Sequence, residues 1–184
     1  GKTSQMASLG ANVIAVDRSA KRLVRLTENM RRLRLDDHVK TEVADAAVWK
    51  PREEANFILL DAPCSATGTI RRNPDVPWLK TFSDLNSLVD LQARLLVNAL
   101  NMLNVGGTLI YCTCSLQKAE GENQIERMLQ TNSGRIERAP IATGEVGGMN
   151  ELITAQGDLR IFPSHLGNLG GMDGFFVSRL RRVS

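Results

Sequence analysis

Two short phrases hold the residues best suited to nucleophilic chemistry: Asp61-Ala62-Pro63-Cys64-Ser65 and, fifty residues on, Thr113-Cys114-Ser115. Each follows an apolar run that predicts a buried strand, Phe57 to Leu60 before the first and Thr108 to Tyr111 before the second. In open parallel sheets, ligands and chemistry gather at the carboxyl ends of the strands, so Cys64, Cys114 and Asp61 are expected to meet at one rim. A thiolate held there can attack an electrophilic carbon and divide one hard step into easier ones. A free thiol has a pKa of about 8.5, so such a site must favour the anion. The residue types do not decide which cysteine attacks, and either could instead be a small buried hydrophobe. Cys112 alternates to the other side of its strand and reads as structural.

The elements that must position these groups alternate along the chain, which predicts a βαβ plan with a mostly parallel sheet. Asn12 to Val16 is a β-branched run ending at Asp17, after which Ser19 can cap a helix carrying Leu23, Leu26, Met30 and Leu33 on one face. Val39 to Val43 reads as a second strand ending near Asp45. Phe57 to Leu60 has no polar interruption, as expected of a strand covered on both faces. A loop rich in Gly, Pro and Arg runs from Ala62 to about Thr81. Ser83 or Asp84 then starts a long helix with an apolar stripe of Leu85, Leu88, Leu95, Leu96, Ala99, Leu100 and Leu103, which Gly106-Gly107 should stop. Thr108 to Thr113 is the fourth strand, Lys118 to Gln130 a helix with Ile125, Met128 and Leu129 inward, and Ile136 the start of a further strand. Residues 140 to 172, with many glycines, read as an extended loop, and Gly174 to Leu180 as a closing strand.

The 184 residues fit one domain, with 42% apolar and 23% charged residues as in ordinary globular chains. No apolar stretch approaches a membrane span, no signal peptide opens the chain, and no membrane partner is expected. Three cysteines argue against a disulfide framework and for a reducing, cytoplasmic setting. The formal charge is +3, and the pI near 9 admits an acidic or nucleic-acid partner. Cys112-x-Cys114 lacks the spacer of a zinc site, and His38 and His165 fall in no ligand pattern, so no metal is expected. Gly1-Lys2-Thr3 matches the last positions of a phosphate-cradling loop, and Leu59-Leu60-Asp61 could pose as the acidic strand of an NTPase, but three residues of eight are a weak match. The same residues open the chain inside a strand-to-helix glycine turn, so its first strand is expected to be missing.

The stretch from Asp61 through Asp75 (DAPCSATGTIRRNPD), with Trp78 shortly after, resembles motif IV of the RNA (cytosine-C5) methyltransferases of the Fmu/Sun and NOL type. Tyr111 to Ser115 (YCTCS) is similar to their motif VI, Asp173-Gly174-Phe175-Phe176 to their closing strand, and Gly1-Lys2-Thr3 to the end of their cofactor loop. The match covers almost the whole chain in the right order. The resemblance implies a Rossmann-like α/β catalytic domain over residues 1–184, truncated at its N-terminus, with a mostly parallel sheet and a C-terminal antiparallel strand. It also implies methyl transfer from S-adenosyl-L-methionine to carbon 5 of a cytosine in RNA, ribosomal RNA first of all. The route is a thiolate adduct at carbon 6.

By this resemblance Cys114 is the nucleophile, Cys64 assists product release, and Asp61 lies near the methionine part of the cofactor and the target base. Gly1, Lys2, Asp17, Arg22 and Asp45 are the further cofactor-binding candidates. An acid after an early strand of a nucleotide-binding sheet commonly accepts ribose hydroxyls, which suits Asp17. Lys21, Arg22, Arg25, Arg31, Arg32 and Arg34 cluster opposite a helix's apolar stripe and read foremost as a solvated face. Arg71 and Arg72, on the loop beside the thiols, are the candidate RNA-binding residues through phosphate contacts, and Trp78 is a candidate for stacking on a base. The competing readings are a non-catalytic RNA-binding remnant and the NTPase. The oligomeric state, the RNA and the modified cytosine are not legible in the sequence.

Overall fold

The structure, a computed structural model, describes residues 1–79 and 81–184, the side chain of Phe82 excepted. The chain forms two units, Gly1–Lys50 and Pro51–Ser184.

The first unit carries helix α1 (Lys2–Ser8), strand β1 (Val13–Asp17), helix α2 (Ala20–Leu33) and strand β2 (Val39–Val43). The strands pair in parallel, Val13 opposite Val39 through Asp17 opposite Val43. Ser19 caps α2 as expected, its Oγ accepting from the Arg22 amide at 3.3 Å. Leu23 and Met30 supply the buried stripe of α2, while Leu33 lies exposed at its last turn. Arg31 and Arg32 in that turn face the negative end of the helix dipole. The basic side chains opposite the stripe are exposed, in keeping with a solvated face.

The second unit is built on a five-stranded mixed sheet of β3 (Ala55–Asp61), β4 (Leu103–Thr113), β7 (Phe175–Arg182) and β5 (Ile136–Arg138), in that order, with β6 (Leu159–Ile161) also paired to β7. Strand β3 (Ala55–Asp61) runs parallel to β4 (Leu103–Thr113), with Asp61 opposite Cys112. The closing strand β7 (Phe175–Arg182) is antiparallel to β4, as expected, with Thr113 opposite Phe176. Strands β5 (Ile136–Arg138) and β6 (Leu159–Ile161) take opposite ends of the far edge of β7. Helix α4 (Phe82–Asn101) buries Leu95, Leu96, Ala99 and Leu100, and helix α5 (Glu122–Thr131) buries Ile125 and Met128. With Leu103, Leu109, Tyr111, Phe176 and Leu180 of the sheet they form the core, each fully buried large side chain worth roughly 1.5–3 kcal/mol of transfer free energy.

Four expectations change. Gly106-Gly107 does not stop a helix: α4 already ends at Asn101, and the glycines lie inside β4. There the register slips between Ala55 opposite Leu103 and Phe57 opposite Thr108, and Gly106 takes φ +81°, so the pair serves a bulge rather than a cap. The helix start also moves. Thr81 is its N-cap, in a capping box where its Oγ1 accepts from the Asp84 amide (3.2 Å) and the Asp84 carboxylate accepts from the Thr81 amide (2.8 Å). The third correction concerns β3, whose Phe57 is 78% exposed. Among the described residues β3 is hydrogen-bonded to β4 alone, and with Asn56 and Phe57 both exposed the expected cover on both faces does not hold along the whole run. Lastly, the supposed loops hold structure: a short helix α3 (Val76–Leu79) within 62–81, and β6 with three 3-10 turns within 140–172. Neither has the length that hydrophobic periodicity needs to register.

Candidate active site

Sheet geometry puts the two cysteine phrases side by side. Asp61 and Cys112 are partners across the parallel pair β3–β4, so the chain leaves both strands at the same end. The loops that follow are stitched to each other. Ala62 donates to the Cys112 carbonyl at 3.0 Å and Gly68 to the Cys114 carbonyl at 2.9 Å, while the Thr67 hydroxyl accepts from the Leu116 amide at 2.9 Å. Gly68 permits this approach, since a Cβ there would lie 2.2 Å from the Gly174 carbonyl oxygen and 2.8 Å from that of Cys114. Gly174 donates back to the Gly68 carbonyl at 2.7 Å, which ties the start of β7 to the same junction.

This stitching brings the sulfurs of Cys64 and Cys114 to 3.5 Å of each other, both half-buried. Ala66, in the left-handed region at φ +59°, turns the loop so that its amide donates to the Cys64 sulfur. Strained non-glycine backbone of this kind persists where surrounding structure over-determines it, and often at functional sites. The hydrogen bond with Cys114 pushes the Cys64 thiol far up from its ordinary value, with burial and the charge on Cys114 adding to the rise. Two thiols this close titrate as a coupled pair, and the coupling favours the protonated form of Cys64. Arg72 lies near the same thiols, its guanidinium raised chiefly by its hydrogen bond to Asp173.

Asp61 finds a different sulfur. Its Oδ1 accepts from the Cys112 thiol at 3.6 Å. Cys112 is buried, in keeping with a structural role, yet it is also a polar neighbour of Asp61. Arg71 and Arg72 lie beside the thiol loops as expected, but both engage the Asp173 carboxylate. Arg72 does so through two nitrogens and Arg71 at 3.6 Å. These two guanidinium groups, Arg72 foremost, hold Asp173 below the usual carboxylate range. Trp78 on α3 is 87% exposed.

The other candidates lie in the first unit. Asp17 ends β1, its carboxylate accepting from the Ser19 amide (2.7 Å) and from Arg22 (3.2 Å). Asp45 follows β2, accepting from the Ala47 amide (3.0 Å) with Arg18 at 3.6 Å. The Asp17 carbonyl accepts from Ala44, so the two acids mark the carboxyl ends of adjacent parallel strands. Carboxylates so placed suit the hydroxyl and amine groups of a nucleoside. Gly1 caps α1 and Lys2 begins it, both exposed. Arg160 is buried, with its guanidinium 4.7 Å from the Phe176 ring centroid and bonded to Glu122 and to the Ser115 carbonyl. Among the described residues no group of three or more His, Cys, Asp or Glu could hold a metal, and no helix is long and apolar enough to cross a membrane.

One buried group escaped sequence reasoning. Glu120, 0% exposed, accepts from Ser65 and Ser115, the residues that follow the two cysteines. The repeated Cys-Ser dipeptide was its only trace in the sequence.

Comparison with known proteins gives a consistent result. The family model for "16S rRNA methyltransferase RsmB/F" matches residues 1–181. The chain is 38% identical over 183 residues to ribosomal RNA small subunit methyltransferase B of Erwinia tasmaniensis, covering 98% of this chain and 39% of that protein. It thus spans about two fifths of the length of the curated relatives it matches. Among solved structures, NSun6 from Pyrococcus horikoshii, determined with SFG, superposes with a TM-score of 0.80 at 29% identity, over 100% of this chain and 45% of that one. A methyltransferase homolog from the same organism gives 0.76 at 30% identity, over 98% and 57%. The fold is therefore that of the Rossmann-like methyltransferases, and nothing found favours the NTPase reading of Gly1-Lys2-Thr3.

Proposed function

The chain belongs to the RsmB/F family of 16S rRNA methyltransferases, and from that premise we propose that it methylates carbon 5 of a cytosine in ribosomal RNA through a covalent cysteine adduct. The observation that supports this most directly is the pair of sulfurs 3.5 Å apart, with Cys64 raised by its coupling to Cys114.

Cys114 is the nucleophile. Its thiolate adds to carbon 6 of the ring, the 5,6 double bond gives up its electrons, and carbon 5 becomes nucleophilic like an enamine carbon. S-adenosyl-L-methionine, when bound, would supply the electrophilic methyl that carbon 5 takes, its sulfonium S–CH3 bond breaking to leave S-adenosylhomocysteine. In this reading the first unit's Asp17, Asp45, Arg22, Gly1 and Lys2 are assigned to the cofactor, and the second unit's Asp61 to the N3 edge of the base.

Release requires loss of the proton on carbon 5, and here the coupled thiols have a role. Once Cys114 is a neutral thioether, it is no longer an anionic acceptor for the Cys64 proton. The two influences that hold Cys64 protonated through Cys114, the hydrogen bond and the charge, disappear with it. Cys64 can then release its own proton to solvent and, as the thiolate, take the proton from carbon 5. The electrons of that C–H bond restore the 5,6 double bond, the C6–S bond breaks, and Cys114 leaves as the thiolate. Arg71 and Arg72 are assigned to RNA phosphates, and Trp78 to a base removed from its stack.

RNA carrying 5-fluorocytosine tests the reading, since fluorine on carbon 5 cannot leave as a proton and the adduct persists. Wild-type protein should form a denaturation-resistant complex with it and Cys114→Ala should not, while Cys64→Ala should accumulate adduct even on ordinary RNA. Adduct formation by Cys114→Ala equal to wild type would overturn the assignment.

A further inference from the structure

We propose that Glu120 is the positioning residue that sets the register of the two thiols, by gripping the serine that follows each cysteine. The proposal rests on the cysteine chemistry above and adds to it a group that no part of that chemistry uses.

The geometry is a four-donor cradle. Glu120 Oε1 accepts from the Ser65 amide at 2.9 Å and from the Gln92 side chain at 3.0 Å. Its Oε2 accepts from the Ser65 and Ser115 hydroxyls, each at 2.5 Å. Two carboxylate oxygens offer about four lone-pair directions, and all four are used. Three parts of the fold meet there: the loop after β3, the loop after β4, and α4 through Gln92. Gln92 also donates to the Pro63 carbonyl at 2.8 Å, one residue before Cys64. The Glu120 backbone is anchored in turn, its carbonyl accepting from the Tyr111 hydroxyl at 2.7 Å.

No salt bridge involving Glu120 stands among those of the described residues, and its side-chain partners are neutral. Burying a polar or charged group is costly unless hydrogen bonds replace water, so these donors cannot drift without exposing the cost. Bonds to a carboxylate are also shorter and stronger than neutral ones. The result is a stiff link between Ser65 and Ser115, whose own hydroxyls lie 3.1 Å apart. Cys64 and Cys114 are one residue away on each side. The repeated Cys-Ser dipeptide thereby acquires a reason: each thiol brings its own handle, and one carboxylate holds both.

Glu120→Gln is the informative variant. It keeps the volume, and the amide can turn its NH2 toward the two serine hydroxyls, which rotate to accept, while its oxygen still receives the Ser65 and Gln92 donors. What is lost is the charge-assisted grip. A bimane bis-electrophile that fluoresces only after bridging two nearby thiols reads the consequence directly, in a Cys112→Ala background, without RNA or cofactor. Bridging of Cys64 to Cys114, relative to single alkylation of Cys114 by iodoacetamide, should slow by about tenfold. The kcat for methyl transfer should fall by roughly ten- to a hundredfold with KM for the cofactor unchanged, the size expected when reacting groups shift by about 1 Å. Ser115→Ala should lower both quantities in the same sense, and combined with Glu120→Gln should add less than the sum of the two changes.

Bridging and kcat at wild-type levels in Glu120→Gln would overturn the proposal. If that variant does not fold, Ser65→Ala with Ser115→Ala carries the same readouts, and wild-type values there overturn it equally. Because bridging is measured without RNA, a wild-type protein that forms no 5-fluorocytosine adduct would sink the proposed reaction and leave the positioning role standing.

Discussion

The sulfurs of Cys64 and Cys114 are 3.5 Å apart across two loops fixed by parallel strands, and they are not equivalent: the first is held as a thiol by the second. This asymmetry has a pH signature. Cys64 is raised by its hydrogen bond with Cys114, by burial and by the charge on Cys114. An alkylating reagent should therefore modify Cys114 at neutral pH and reach Cys64 only well above the ordinary thiol range. Cys114→Ala removes the first and third of these causes, so the pH midpoint for Cys64 should move down toward about 8.5, leaving the effect of burial. Mass spectrometry of iodoacetamide-treated protein across pH measures both midpoints, and an unmoved Cys64 midpoint in the variant contradicts the coupling.

Asp173 is the carboxylate that Arg71 and Arg72 hold between them. Its folded value is depressed, so the pair contributes above the unfolded aspartate value of about 3.9 and is lost as pH falls through the lower, folded one. In Arg72→Ala the Asp173 carboxyl should titrate closer to that unfolded value, as carbon-13 NMR of the carboxyl would show. Asp173→Asn should free both arginines for phosphate and tighten binding of a single-stranded RNA severalfold at low salt. The dependence of log K on log salt should steepen by about 0.7 for each additional phosphate that an arginine neutralises. Equal affinity and slope in Asp173→Asn would mean that these arginines do not meet RNA.

Gly68 is where the two thiol loops and the start of β7 come closest. A methyl group there would meet backbone oxygens of Gly174 at 2.2 Å and Cys114 at 2.8 Å, neither of which can swing aside like a side-chain tip. Gly68→Ala should cost about 1–3 kcal/mol in urea unfolding, the usual range for forced overpacking, and should slow thiol bridging as well. Gly144→Ala, at a site where a Cβ meets nothing within 4 Å, is the control and should do neither.

Thr81 caps α4 through a reciprocal pair of hydrogen bonds with Asp84. Thr81→Ala should lower stability by about 1 kcal/mol, and Thr81→Ser should restore most of it. Equilibrium unfolding resolves the difference. No change in thiol reactivity is expected, since the other end of this helix carries most of its buried stripe.

Short-range chemistry made several features readable from residue order. Val13 to Val16 and Leu109 to Tyr111 are β-branched or apolar runs whose strand character is local, and Ser19 announces a helix because its hydroxyl satisfies an amide three residues on. Placing Cys64 and Cys114 at one rim needed only the rule that parallel strands end together. Gly106-Gly107 misled because glycine serves a helix cap and a strand bulge alike, and the choice between them came from pairing with a strand some fifty residues away. Phe57 misled because an apolar run carries no record of which of its positions are covered. Folding through space settled what no local pattern could: that the sulfurs of Cys64 and Cys114 come within 3.5 Å, that Arg71 and Arg72 converge on Asp173, and that Glu120 joins two serines fifty residues apart. Each depends on distances between residues remote in the chain, and hydrogen bonds and charge couplings exist only once those distances are set.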